Sequence, residues 1–139
     1  MNPPHYPVMS REVTEILAGG EGDLYVDCTV GGGGHSRALL ERRPEARLLA
    51  LDVDPSSIET ARRTLAPFAD RVTFHPGNFI ERFASLGLRD RSVAGVLVDP
   101  GLSMGQLKGA GRGFSHSLDA ELDMRKDPST GPTAADVLA

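Results

Sequence analysis

Cysteine occurs once in the 139-residue chain, at Cys28, so neither an intrachain disulfide nor a cysteine-based zinc site can form. No apolar run approaches the roughly 20 residues needed to span a bilayer. The opening, Met1-Asn2-Pro3-Pro4-His5-Tyr6, has neither a basic leader nor an apolar stretch, which argues against secretion. Lysine is scarce: 2 of the 15 basic residues, the other 13 being arginines scattered along the chain. The net charge of −4 gives no general attraction for nucleic-acid phosphate, so charge alone does not point to an RNA substrate. These absences predict a cytoplasmic protein without a membrane segment, and the length suits one domain.

What is present is a regular alternation. Ser10 stands where it can cap a short helix carrying Val13, Ile16 and Leu17 on one face. Leu24 to Val30 reads as a buried strand running into Gly31-Gly32-Gly33-Gly34, with a helix from about His35 to Arg43. Arg47 to Asp52 reads as a second strand, and Asp54-Pro55 as the cap and first position of a helix reaching Leu65. A shorter strand from Arg71 to His75, a helix around Ile80 to Leu86 and a fourth strand from Ala94 to Asp99 follow. Such repetition builds parallel βαβ units, and strands that are apolar throughout belong in a sheet covered on both faces. The fold class is α/β. Beyond Pro100 the periodicity stops: residues 101–113 read as a glycine-rich loop, and a helix begins at Thr133.

Four places carry chemistry. The glycines after the first strand let the backbone pass close beneath a ligand at the sheet's C-terminal edge. The dinucleotide pattern G-x-G-x-x-G is not met, because Ser36 stands at its third glycine. Asp52, at the end of the second strand, is placed to accept hydrogen bonds from the ribose hydroxyls of an adenosine cofactor, whether S-adenosylmethionine (SAM) or a nicotinamide dinucleotide. Asp54 competes for that role but is the better helix cap. Phe79, beside Asn78, is placed either to lie against an adenine or to close the next helix as a core residue. Asp99 ends the fourth strand, where an acceptor would favour the pyramidal nitrogen that a base's exocyclic amine needs to act as a nucleophile; its other reading is a turn cap.

Together with His5-Tyr6-Pro7-Val8-Met9, Arg112-Gly113-Phe114-Ser115 and Leu122-Asp123-Met124-Arg125-Lys126-Asp127-Pro128, the run from Tyr25 to Ser36 resembles the MraW-type 16S ribosomal RNA cytosine-N4 methyltransferases. The resemblance implies a class I SAM-methyltransferase, Rossmann-like sheet and SAM as the cofactor. It implies that Gly33, Gly34 and His35 contact the methionine part, that Asp52 holds the ribose, and that Phe79, Asp99 and Gln106 complete the pocket. Asp99 would also be the catalytic residue; no metal is implied. The partner would be 16S rRNA or the small ribosomal subunit. Residues 1–115 would form the SAM-binding half and residues 116–139 the start of a helical inserted domain, truncated after strand 4. Such a chain is either a fragment that binds SAM without transferring methyl groups, or half of a homodimer whose second copy covers the open edge. The family's strand-4 motif has Leu where this chain has Pro100, which removes a backbone donor and holds Asp99 extended.

Overall fold

A computed structural model describes residues 7–108 and 111–139. His5 and Tyr6 of the opening motif lie outside them. The chain divides into two compact units, one ending at Pro100 and one running Gly101–Ala139.

The first unit contains α1 (Ser10–Ala18), β1 (Leu24–Asp27), α2 (Gly34–Arg42), β2 (Arg47–Asp52), α3 (Pro55–Thr64), a 3₁₀ segment (Ala66–Arg71), β3 (Val72–Pro76), α4 (Phe79–Ser85) and β4 (Gly95–Leu97). All pairings are parallel and the strand order is β3-β2-β1-β4, as the alternation predicts. Two boundaries differ from expectation. Ser10 lies inside α1, whose cap is Met9 in a left-handed conformation, and the Ser10 carbonyl accepts the Thr14 hydroxyl at 2.6 Å. The segment from Ala66 to Arg71 tightens into 3₁₀ geometry, with Pro67 in its first turn, where a proline is suited.

Alternate residues on each strand face opposite sides of the sheet. Tyr25, Leu48 and Ala50 pack with Leu39 and Leu40 of α2 and Ile58 and Ala61 of α3. On the other face Val26, Cys28 and Leu51 pack against Phe79, Leu86, Leu88 and Val93. Burying each large apolar side chain contributes roughly 1.5–3 kcal/mol, so these two layers carry the fold. Arg71 ties down the junction of α2 and β2: its guanidinium donates to the carbonyls of Leu40, Arg43, Pro44 and Ala46, where α2 ends and β2 begins. β4 is an edge strand, and Val96 and Val98 are 42% and 47% exposed.

The second unit is not the plain glycine loop that residues 101–113 suggested. It contains α5 (Met104–Lys108) and α6 (Ala134–Leu138). The Ser103 hydroxyl accepts the Gln106 N–H while the Gln106 side chain accepts the Ser103 N–H, a reciprocal cap that starts α5. Thr133 and Asp136 repeat the arrangement at α6. Between them the Met124 N–H donates to the Arg112 carbonyl and Arg112 to the Lys126 carbonyl, so two segments distant in sequence lie side by side. Arg125 forks onto Asp123, which holds that carboxyl down at about 2. No helix of the described residues is long and apolar enough to cross a membrane.

Candidate functional site

The C-terminal ends of β1, β2, β3 and β4 converge on one edge of the first unit's sheet, which is where parallel α/β sheets bind ligands. Past Asp27 the chain turns through Cys28 to Gly33 before entering α2. Gly31 has φ +51° and Gly33, the residue capping α2, φ +82°, conformations that side-chain-bearing residues avoid. Among the described residues, a methyl group added at Gly31 or Gly32 would meet only one atom within 4 Å, at 3.8 and 3.9 Å respectively, so the backbone there borders space that those residues leave open. At Gly33 the added carbon would instead meet Leu65 and Thr64 at 3.3 and 3.4 Å. Gly33 thus allows the loop to pack on α3, while Gly31 and Gly32 leave room above it.

Asp52 fixes this loop. Its Oδ2 accepts the Gly31 N–H at 2.8 Å and its Oδ1 accepts the Asp54 N–H at 2.9 Å. A carboxylate offers about four lone-pair directions, so each oxygen keeps acceptor capacity. Asp54 does something else: it is buried, and its Oδ1 accepts both the N–H and the hydroxyl of Ser56 at the start of α3. The two acids, alternatives on sequence, separate into loop anchor and helix cap. Phe79 is the first residue of α4, capped by Asn78, and is half-buried against Val26, Cys28 and Leu51. It follows β3 closely, and the Gly77 N–H between them donates to the Asp52 carbonyl.

His35 is the second residue of α2 and its side chain is only 10% exposed, so it is not a surface histidine. Its Nε2 lies 3.9 Å from Oδ2 of Asp99, whose side chain is 45% exposed. The Asp99 N–H donates to the Thr29 hydroxyl at 2.7 Å. Gly33, Gly34, His35, Asp52, Phe79 and Asp99 therefore all belong to one sheet edge, whereas Gln106 belongs to the second unit.

Asp27 is the residue that sequence reasoning passed over. It is buried at the end of β1, accepting the Ser36 hydroxyl at 2.6 Å and the Thr29 N–H at 3.1 Å. Burial pushes its carboxyl up to about 6, against those two hydrogen bonds, with Asp52 and Asp99 raising it further. A polar residue ending an apolar strand was the available signal. Ser36, which occupies the third-glycine position of the dinucleotide pattern, is committed to this buried pair. Burial also raises the neighbouring Cys28 thiol, as befits a core residue. Among the described residues no group of acidic, histidine or cysteine side chains is arranged to hold a metal.

The model of the MraW methylase family matches residues 2–139, almost the whole chain. The chain belongs to that family. It is 48% identical over 136 residues to the ribosomal RNA small subunit methyltransferase H of Syntrophotalea carbinolica, covering 96% of this chain and 43% of that protein. With the enzyme of the same name from Rhodococcus opacus it shares 44% over 146 residues, again covering 96% and 43%. The chain thus spans less than half the length of these curated relatives. Among solved structures, the O-methyltransferase TomG of Streptomyces achromogenes, in complex with SAM, superposes with a TM-score of 0.52 at 20% identity, over 58% of this chain and 38% of that one. That likeness establishes the class I methyltransferase fold that the resemblance implied.

Proposed function

We propose that the chain is the cofactor-binding part of a SAM-dependent methyltransferase acting on the exocyclic N4 of a cytosine in small-subunit ribosomal RNA. The observation that carries the reading is the Asp52 carboxylate, which anchors the glycine loop yet keeps lone pairs beside the open space at Gly31 and Gly32. The residues fit the cofactor. Asp52 would hold the ribose hydroxyls, Phe79 the adenine, and Gly33, Gly34 and His35 the methionine part. SAM, when bound, supplies an electrophilic methyl group on a sulfonium. Asp99 accepts a hydrogen bond from the cytosine amine, which draws the nitrogen lone pair out of conjugation with the ring, and it takes up the proton that the amine sheds. Thr29 and His35 hold Asp99 in place for this. The names of the relatives support an RNA substrate, although the chain's net charge of −4 adds no attraction of its own.

Calorimetric titration with SAM, S-adenosylhomocysteine and NADH tests the cofactor. Binding of the first two without the third is expected; binding of NADH alone would overturn the reading. A methyl-transfer assay on undermethylated small ribosomal subunits, with the product nucleoside analysed, then tests the substrate. A methylated base other than N4-methylcytosine would refute the assignment to that amine.

A further inference from the structure

Asp99 and His35 come from different elements, one following β4 and one opening α2, and both trace back to the same buried group. On one side, Asp27 Oδ1 accepts the Thr29 N–H, and the Thr29 hydroxyl accepts the Asp99 N–H. On the other, Asp27 Oδ2 accepts the hydroxyl of Ser36, the neighbour of His35. The circuit closes where His35 Nε2 approaches Asp99 Oδ2 at 3.9 Å. We infer that Asp27 is a positioning residue, setting Asp99 through Thr29 and His35 through Ser36, so that one buried carboxylate aligns the pair facing the methyl acceptor.

Three features favour this over a merely structural role for Asp27. A carboxylate buried to 2% exposure is costly, and an apolar residue at this strand end would have served the core better. Both its oxygens accept along the two branches: two successive hydrogen bonds, through Thr29, lead to Asp99, and one, from Ser36, leads to the residue beside His35. Thr29 is moreover the only hydroxyl that receives the Asp99 amide among the hydrogen bonds of the described residues, so its loss leaves that amide without its acceptor.

The role of Asp99 toward the amine rests on the function proposed above, and the test separates the two. The imidazole of His35 is followed by nitrogen NMR as pH is varied, its resonance identified by its loss in His35→Gln. Asp99→Asn removes a negative charge beside His35 and should displace its titration downward. That displacement is measured in four backgrounds: wild type, Thr29→Val, Thr29→Ser and Asp27→Ala. It should fall to less than half in Thr29→Val and in Asp27→Ala, and survive in Thr29→Ser, which keeps the hydroxyl. Should Asp27→Ala fail to fold by circular dichroism, Thr29→Val and Ser36→Ala carry the same comparison. A full displacement in Thr29→Val and Ser36→Ala, or none in wild type, would overturn the inference. Titration of the same samples with S-adenosylhomocysteine reports on the cofactor reading independently: no binding by wild type counts against that reading and leaves the His35 result standing.

Discussion

Asp52 accepts the Gly31 N–H at 2.8 Å, so the exits of two adjacent strands, 21 residues apart in sequence, are fastened by one carboxylate. Its neighbour Asp54 caps α3. Two acids separated by a single residue therefore predict different phenotypes.

Asp52→Ala should weaken S-adenosylhomocysteine binding by about 1–3 kcal/mol, the range for hydrogen bonds to a charged group. Asp54→Ala should mainly lower the melting temperature, since a lost N-cap costs about 0.5–2 kcal/mol of stability. Calorimetry and thermal denaturation on both variants decide the matter. Greater damage to cofactor binding from the Asp54 change would reverse the assignment.

The glycines divide similarly. Gly33→Ala forces a side chain into left-handed backbone against Leu65 and Thr64, and should cost at least about 1–2 kcal/mol of stability. Among the described residues Gly32→Val meets only Thr60 nearby, at 3.9 Å, and should leave the melt nearly unchanged while weakening cofactor binding as its branches enter the open space. A Gly32 variant with full affinity would move the cofactor away from this loop.

Asp27 makes stability depend on pH in an unusual direction. Its carboxyl holds a proton more tightly folded, at about 6, than unfolded, near 3.8. Its contribution is therefore complete below about pH 4 and is lost as pH rises through 6, by a total on the order of 3 kcal/mol. Urea unfolding of wild type and Asp27→Asn at pH 4 to 8 should show the difference between them growing with pH, in favour of the variant. A constant difference would mean that Asp27 ionises normally.

In the second unit, a side chain at Gly113 would sit 2.4 Å from the Glu121 carbonyl, where backbone cannot yield easily. Gly113→Ala should shift the amide resonances of Arg112, Met124 and Lys126, whose hydrogen bonds join the two segments. Unperturbed Met124 and Lys126 resonances would show that the segments do not pack as described.

The layered sheet was legible because the strands are nearly all apolar and alternate with helical segments. Asp54 was legible as a cap because Pro55 follows it, and that freed Asp52 for the loop. The α5 helix was missed although Ser103-x-x-Gln106 spells its reciprocal cap, because the surrounding glycines dominated the reading. Within the run from Tyr25 to Ser36, Asp27 stands out only as a polar residue ending an apolar strand. Its burial and the reach of Thr29 to Asp99 arise from tertiary pairing across 70 residues, which no local pattern encodes.

That separation also orders the assembly of the site. β1 and β2 pair between close neighbours in sequence, Leu24 with Arg47, whereas the three-residue strand β4 must return from far along the chain to bring Val96 beside Val26. Longer closures are entropically dearer and slower, and an edge strand this short has little ladder to hold it. The loop and Asp52 are thus expected to be set before Asp99 arrives, and to persist when β4 frays. Amide hydrogen exchange can watch this along one short stretch of chain. Cys28 donates to Leu97 and Asp99 to Thr29 across the late seam, while Val30 donates to Leu51 and Gly31 to Asp52 across the early one. Faster exchange at Cys28 and Asp99 than at Val30 and Gly31 would mark Asp99 as the last part of the site to form and the first to leave.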